Sequence, residues 1–394
     1  MNYESKTKWA GIDLDVIRGN YNKIKALMSP GSRLMAVVKA DAYGHGAPAV
    51  AGELYAAGVD FFAVSNIDEA MQLRGCGIGA DILILGATPE GEYAKLFDFD
   101  IISTVFSYAA AERLNSLGEK RGKPARVHIK TDTGMNRLGF KVTFPEYMSE
   151  SAANIERIFR LPYIKAEGVF THFADSCSPK EDFTRRQYGL FCELLDILKK
   201  RGIEPEHRHV CNSGAFIHYP DMHLSLVRCG IIMYGLYPEK NMMDIGIEPA
   251  MELRAAISQI RPVEPNESVS YGRTYKPGRK ILAATLPIGY ADGFSRLFSN
   301  SGSVIIRGKK VPVIGRVCMD QTIVDVTGTG AAEGDDAVIF GRCMDERISV
   351  EELADLIETI NYEVVCLIGK RVPRIYSRNG KYAGELNYIK NSEL

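Results

Sequence analysis

Eight short apolar runs separated by amphipathic stretches fill the first two-thirds of the chain. This alternation restricts the fold more than any other feature. The runs are Leu34–Val38, Phe61–Val64, Ile82–Leu85, Ile101–Thr104, Val127–Ile129, Gly168–Thr171, His209–Cys211 and Leu226–Val227. Their length suits strands covered on both faces. Ile17, Tyr21, Ile24 and Met28 recur at helical spacing before the first run. Ser65 before Asn66-Ile67-Asp68-Glu69 reads as a capped helix start with acidic first-turn residues. Phe183 to Arg201 reads as a long helix stopped by Gly202. An open doubly wound sheet would also alternate, but usually with about five or six strands and a glycine-rich first turn. Here the first strand runs into Lys39-Ala40-Asp41-Ala42-Tyr43-Gly44, which is no G-x-G-x-x-G. The expected fold is a (β/α)₈ barrel over residues 10–245.

Several expected strand ends are polar: Lys39, Ser65, Lys130, His172, Asn212-Ser213 and Arg228. In a parallel barrel these ends share one face, where such enzymes keep their active sites. Polar loop starts would explain each residue singly. They explain less well why two lysines, a histidine and an arginine recur there. Lys39 follows an apolar strand, so partial desolvation can lower its pKa and free the amine to condense with an aldehyde cofactor.

After about residue 245 the pattern changes to short β-branched segments: Ile281–Leu286, Val304–Arg307, Val311–Ile314, Thr322–Val326 and Ala337–Phe340. Gly308-Lys309-Lys310 reads as a hairpin turn, and Ser349 with Glu352 as a capping box before one helix. A mainly β domain is expected over 246–388, with residues 1–9 available to pack with it.

Composition narrows the function classes. The 394 residues suit two or three domains, and 46% hydrophobic content rules out disorder as the main state. With 48 basic and 49 acidic residues, nothing favours nucleic acid or an anionic membrane as partner. No uncharged apolar run approaches the roughly 18 residues that span a bilayer. The opening Met-Asn-Tyr-Glu-Ser-Lys lacks a secretion pattern. The eight cysteines contain no C-x-x-C pair, so neither a metal site nor a disulfide framework is expected. A cytoplasmic protein with free thiols is the expectation.

The segment Val37-Val38-Lys39-Ala40-Asp41-Ala42-Tyr43-Gly44-His45-Gly46 resembles the cofactor-lysine segment of alanine racemases, enzymes that depend on pyridoxal 5′-phosphate (PLP). Lys130 to Gly139, Val169 to Ala174, Asn212-Ser213 and Val227 to Gly235 resemble further motifs of that family. So do Val269 to Gly272, Pro287 to Gly293, Gly315 to Asp320 and Ile360 to Glu363. The resemblance runs in order over nearly the whole chain. Departures are few: Gly369-Lys370 before Arg371, and Val365 where a proline is common.

The resemblance implies the following roles. Lys39 would carry PLP and act as a base on one face of the substrate. Tyr271, supplied by the partner subunit, would be the base on the other, because inversion needs a proton to leave one side and return on the opposite one. Tyr43, Ser213 and Tyr362 match side-chain donors to the phosphate, Gly230 and Ile231 match backbone donors, and Asn212 lies in the same motif. Arg228 matches the arginine facing the pyridine nitrogen, and His172 its hydrogen-bond partner. Arg137 matches a residue near the cofactor oxygen and the substrate carboxylate. Met319 matches a backbone donor to that carboxylate. Lys130 matches a lysine that many members carry as a carbamate. Tyr290, Arg296, Arg316 and Ile360 match an entrance corridor. The implied activity is interconversion of L- and D-alanine in a homodimer with shared sites, feeding cell-wall peptidoglycan.

A serine or broader racemase is the nearest alternative, and Tyr362 favours alanine. A PLP decarboxylase of similar layout would carry a late glycine-rich phosphate loop and a Cys-Asp pair, which the sequence lacks. A non-catalytic PLP-binding barrel would be much shorter.

Overall fold

The computed structural model describes residues 6–177 and 182–390. The chain divides into two compact units. The first comprises Arg18–Ala42 and Ala47–Ile247. The second is drawn from the described residues up to Ile17, from Tyr43–Gly46, and from Glu248 onward.

The first unit is a closed parallel barrel. Its eight strands are Arg33–Val37, Phe61–Val64, Asp81–Ile84, Ser103–Val105, Ala125–Asp132, Ile164–Phe170, His207–His209 and Leu226–Cys229. Most consecutive strands pair directly and in parallel. A Leu83–Ile102 bridge joins the third to the fourth. Arg228 N–H donates to Cys211 carbonyl (3.2 Å) beside the seventh, and the eighth pairs back onto the first.

Three local expectations shift. The fifth strand runs eight residues, so Lys130 lies within it rather than after its end. The seventh strand is His207–His209, earlier than its apolar signal, because two of its three residues are histidines buried in the barrel. The helix Ile67–Gly75 is capped by Asn66, whose side chain accepts Glu69 N–H (3.0 Å), and not by Ser65. Ser65 donates its hydroxyl to Glu69 Oε2 instead (3.0 Å).

The second unit is mainly β. Its larger sheet is ordered Lys309–Pro312, Ser303–Ile306, Asp336–Cys343, Met251–Ala256, Lys8–Asp13, Arg374–Arg378 and Lys381–Leu386. Lys8–Asp13 pairs antiparallel with Met251–Ala256 and parallel with Arg374–Arg378. Residues 10–17 therefore belong here and not to a barrel starting at residue 10. Of the expected 1–9 segment, residues 1–5 lie outside the described residues. A second sheet joins Gln259–Val263, Ile281–Leu286 and Thr322–Asp325, all antiparallel.

The hairpin turn sits one residue earlier than expected. Arg307 (φ 50°) and Gly308 (φ 71°) form its two-residue corner, and Lys309 already pairs with Ile306. The capping box holds: Glu352 N–H donates to Ser349 Oγ (3.1 Å), and Ser349 N–H to Glu352 Oε2 (2.8 Å). A second helix, Asn361–Cys366, was not expected. Its N-cap is Ile360, which has no side chain to announce it.

Candidate active site

Lys39 stands just past the first barrel strand, at the head of a strained turn. Ala40, Asp41, Ala42 and Tyr43 all take left-handed φ values of 52–56°. L-residues resist this by roughly 1–2 kcal/mol each, so the turn persists only where its surroundings fix it. Ala40 N–H donates to Glu69 Oε1 (2.7 Å), Ala42 N–H to Val38 carbonyl (2.9 Å), and Ala47 N–H to Asp41 Oδ1 (2.8 Å). Glu69 Oε2 is itself held by Ser65 N–H (2.7 Å). The lysine therefore departs from a fixed point.

Lys130 is only 5% exposed. Burial, followed by the charges of Arg137 and Arg228, lowers its pKa from 10.5 to about 8. Lys39 also acts on Lys130 and on His172. These electrostatic couplings put Lys39, Lys130, Arg137, His172 and Arg228 in one group.

Arg228 is 3% exposed, and burial lowers it to about 10. Its NH1 donates to His209 Nδ1 (2.8 Å) and His209 carbonyl (3.1 Å). Its NH2 donates to Thr171 carbonyl (2.9 Å), Val210 carbonyl (2.8 Å) and His172 Nδ1 (3.1 Å). All five acceptors are neutral: burial, then Arg228 itself, pushes His172 and His209 well below the usual imidazole range. The Nε–H takes no part in these bonds. Among the described residues the site thus presents a buried cation with one donor outside these bonds.

The loops after the seventh and eighth strands each begin a short helical turn, the place where barrels build phosphate sites. Asn212 caps Ser213–His218 by accepting Ala215 N–H (2.9 Å). Ser213 Oγ accepts Gly230 N–H (3.0 Å), so that amide is engaged and the serine hydroxyl proton is left to point elsewhere. Ile231 opens the turn Ile231–Tyr234, and its N–H is one of those that a helical start leaves without an internal acceptor. Tyr234 hydroxyl donates to Val37 carbonyl (3.0 Å) and ties this turn to the strand preceding Lys39.

The second unit carries the remaining expected residues. Tyr43 packs against Tyr362 with ring centroids 6.0 Å apart. At Gly44 an added Cβ would lie 2.2 Å from Val365 carbonyl, so only glycine permits the approach. Tyr271 is 71% exposed, Met319 52% and Tyr290 42%. Val269 anchors the Tyr271 turn in a cluster with Val263, Ile281, Ala283 and Ile314. Ser270 Oγ donates to Arg316 carbonyl (2.5 Å). Tyr290 N–H donates to Cys318 carbonyl (3.1 Å) and Ala291 N–H to Met319 carbonyl (3.0 Å). These bonds leave the Met319 amide itself as a donor. Buried Asp292 steadies the segment. It pairs with Lys8 (2.8 Å) and Arg371 (3.2 Å), accepts Gly289 N–H (3.0 Å), and Arg371 reaches on to Asp320 (2.7 Å).

Two family models match in tandem. The one described as alanine racemase, N-terminal domain, covers residues 12–238, and that described as alanine racemase, C-terminal domain, covers 250–376. The chain belongs to the alanine racemase family. It is an amino-acid racemase, an isomerase, and its α/β barrel and mainly β domain are those expected from the strand patterns of the sequence. An alanine racemase of Methanococcus maripaludis is 43% identical over 93% of this chain and 98% of that relative. The solved alanine racemase of Clostridium difficile 630 superposes with a TM-score of 0.92 at 38% identity, covering 98% of this chain and 99% of that one. The alanine racemase of Bartonella henselae, solved with covalently bound pyridoxal phosphate, gives 0.85 at 29% identity, covering 94% and 100%.

Sequence reading missed Glu69, His209 and the Asp292–Arg371 anchor. Glu69 looked like a first-turn acid and Arg371 like part of a departure from the family pattern. His209 had a signal as a polar residue opening an apolar run, and Asp292 as part of the Pro287–Gly293 motif, although neither was assigned this role.

Proposed function

We propose that this chain interconverts L- and D-alanine with PLP as cofactor, as a cytoplasmic homodimer with shared sites that supplies D-alanine for peptidoglycan. Arg228 carries this reading. A buried guanidinium with neutral partners and a spare Nε–H suits a neutral aromatic nitrogen acceptor. The two turns after the last strands suit a phosphate. When bound, PLP supplies a conjugated ring that accepts the electrons left by removal of the α-proton.

The chain's own groups do the rest. Lys39 Nζ would hold the cofactor covalently and would move the α-proton on one face of the substrate. The Tyr271 hydroxyl of the partner subunit moves it on the other. As the family resemblance implies, Ser213 and Ile231 would hold the phosphate from the barrel, with Gly230 and Asn212 shaping the turns there, and Tyr43 and Tyr362 would be further donors to it. Arg228 would oppose protonation of the ring nitrogen, which would keep the electron withdrawal moderate and limit side reactions. Arg137 and the Met319 N–H hold the substrate carboxylate. Tyr290, with Arg296, Arg316 and Ile360, lines the way in. The exposure of Tyr271, Tyr290 and Met319 suits residues that complete a partner's site. Among the described residues no helix is long and apolar enough to cross a membrane.

The test is proton exchange. In D₂O, either enantiomer of alanine should gain deuterium at the α-carbon and end as an equal mixture, with no carbon dioxide released. Carbon dioxide release without inversion would overturn the reading in favour of a decarboxylase.

Lys130 supports a related prediction. With a pKa of about 8, a useful fraction of its amine is neutral near pH 8. It can attack carbon dioxide, lose a proton and become a carbamate anion beside Arg137. With ¹³C-bicarbonate, a carbamate resonance should appear in the native protein and vanish in Lys130→Ala. Its absence from the native spectrum would leave Lys130 a free amine.

A further inference from the structure

The barrel interior beyond Arg228 holds a chain of histidines. His209 stacks on Phe170 at 4.6 Å and 6°. Its Nδ1 faces Arg228 (2.8 Å), and its Nε2 lies 2.9 Å from His128 Nδ1. Both rings are fully buried. Arginine can only donate. His209 Nδ1 must therefore accept, and a neutral His209 carries its proton on Nε2. That proton points at His128 Nδ1, which must accept in turn, so His128 carries its own proton on Nε2. The opposite assignment would set two donors against each other at 2.8 Å. Burial keeps both rings neutral, helped at His209 by the Arg228 charge and at His128 by His207 and Arg126.

The last proton in the chain has no acceptor among the described residues: His128 Nε2 is buried without a hydrogen-bond partner there. The rings of Phe61 (5.7 Å) and His207 (5.4 Å) lie beside it. Leaving a buried N–H unpaired is unfavourable, and an aliphatic side chain would avoid it. The fold also makes room for the ring. A Cβ at Gly168 would lie 2.8–2.9 Å from three His128 ring atoms. The pairing of the fifth and sixth strands slips between Val127 and His128. A glycine inside a strand and a bulge both weaken a sheet locally. Packing alone does not account for an imidazole at this position, whereas its acceptor nitrogen does.

We propose that His128 is a positioning residue. By accepting the Nε2 proton of His209, it fixes the tautomer through which His209 receives Arg228, and so holds the Arg228 Nε–H in place for the cofactor ring. The proposal rests on the reading of Arg228 given above. Without the His128 acceptor, His209 can move its proton to Nδ1, where it meets the arginine donor and displaces it.

The experiment compares native holoenzyme with His128→Leu, His128→Gln and Gly168→Ala, using ¹⁵N-histidine NMR, absorbance of the bound cofactor and steady-state kinetics. In the native protein His209 should show a bare Nδ1 and a protonated Nε2. His128→Leu should mix the tautomers, shift the cofactor absorbance and lower kcat about tenfold with little change in KM. His128→Gln offers a carbonyl acceptor and should restore the single tautomer and most of the rate. Gly168→Ala, which pushes on the ring, should resemble His128→Leu. A native His209 protonated on Nδ1 would overturn the proposal. So would a single tautomer in His128→Leu, or equal losses of rate and melting temperature in the Leu and Gln variants. Mixed tautomers in His128→Leu with an unmoved cofactor spectrum would uphold the hydrogen-bond chain and overturn instead the placement of Arg228 at the ring.

Discussion

Lys39→Ala is expected to lower racemisation by at least about 10³-fold, because the covalent anchor and one base disappear together. The loss must be equal in both directions. L- and D-alanine are mirror images with an equilibrium constant of one, so the forward and reverse kcat/KM stay equal in every variant. The direction of racemisation therefore cannot reveal which base serves which face. Exchange of the α-hydrogen can. In Tyr271→Ala, Lys39 still reaches one face, so one enantiomer should exchange its α-hydrogen with D₂O without inverting. In Lys39→Ala, neither should exchange at an appreciable rate. Melting temperature should change little, because Lys39 is only partly buried at the end of a strand. Full racemase activity in Lys39→Ala, or exchange of both enantiomers in Tyr271→Ala, would refute the two-base assignment.

The barrel was legible because parallel strands covered on both faces are apolar as a rule, and four of the eight runs are apolar throughout. The seventh strand broke it with His-Arg-His. Its histidines are buried as neutral rings, a state that depends on burial and on partners carried by other strands, for His209 Arg228 on the eighth and His128 on the fifth, which a hydropathy pattern does not show. Lys130 misled for the same reason. A lysine reads as a strand end, yet here it lies inside the strand with its pKa lowered by its neighbours. Lys8–Asp13 could not be assigned from local pattern, because its partners Met251–Ala256 and Arg374–Arg378 lie far along the chain. Site residues came through contiguous motifs. The holding roles of Glu69 and Asp292 did not, although Asp292 lies inside the Pro287–Gly293 motif, since both act through backbone amides or distant cations.

Mixing inactive Lys39→Ala and inactive Tyr271→Ala chains should restore about a quarter of native activity. Tyr271 is 71% exposed in the single chain. A base that serves a reactive carbanion needs a site closed to water. A two-fold dimer in which each subunit lends Tyr271 to its partner supplies that closure twice. A mixed dimer then has one site carrying both lesions and one carrying neither. Random exchange makes about half of all dimers mixed, each with one of its two sites intact, which gives about a quarter of full activity. The restored activity should rise with the rate of subunit exchange and should require both chains. If exchange is demonstrated by mass and no activity returns, Lys39 and Tyr271 serve the same site from one chain, and the two-fold shared arrangement is wrong.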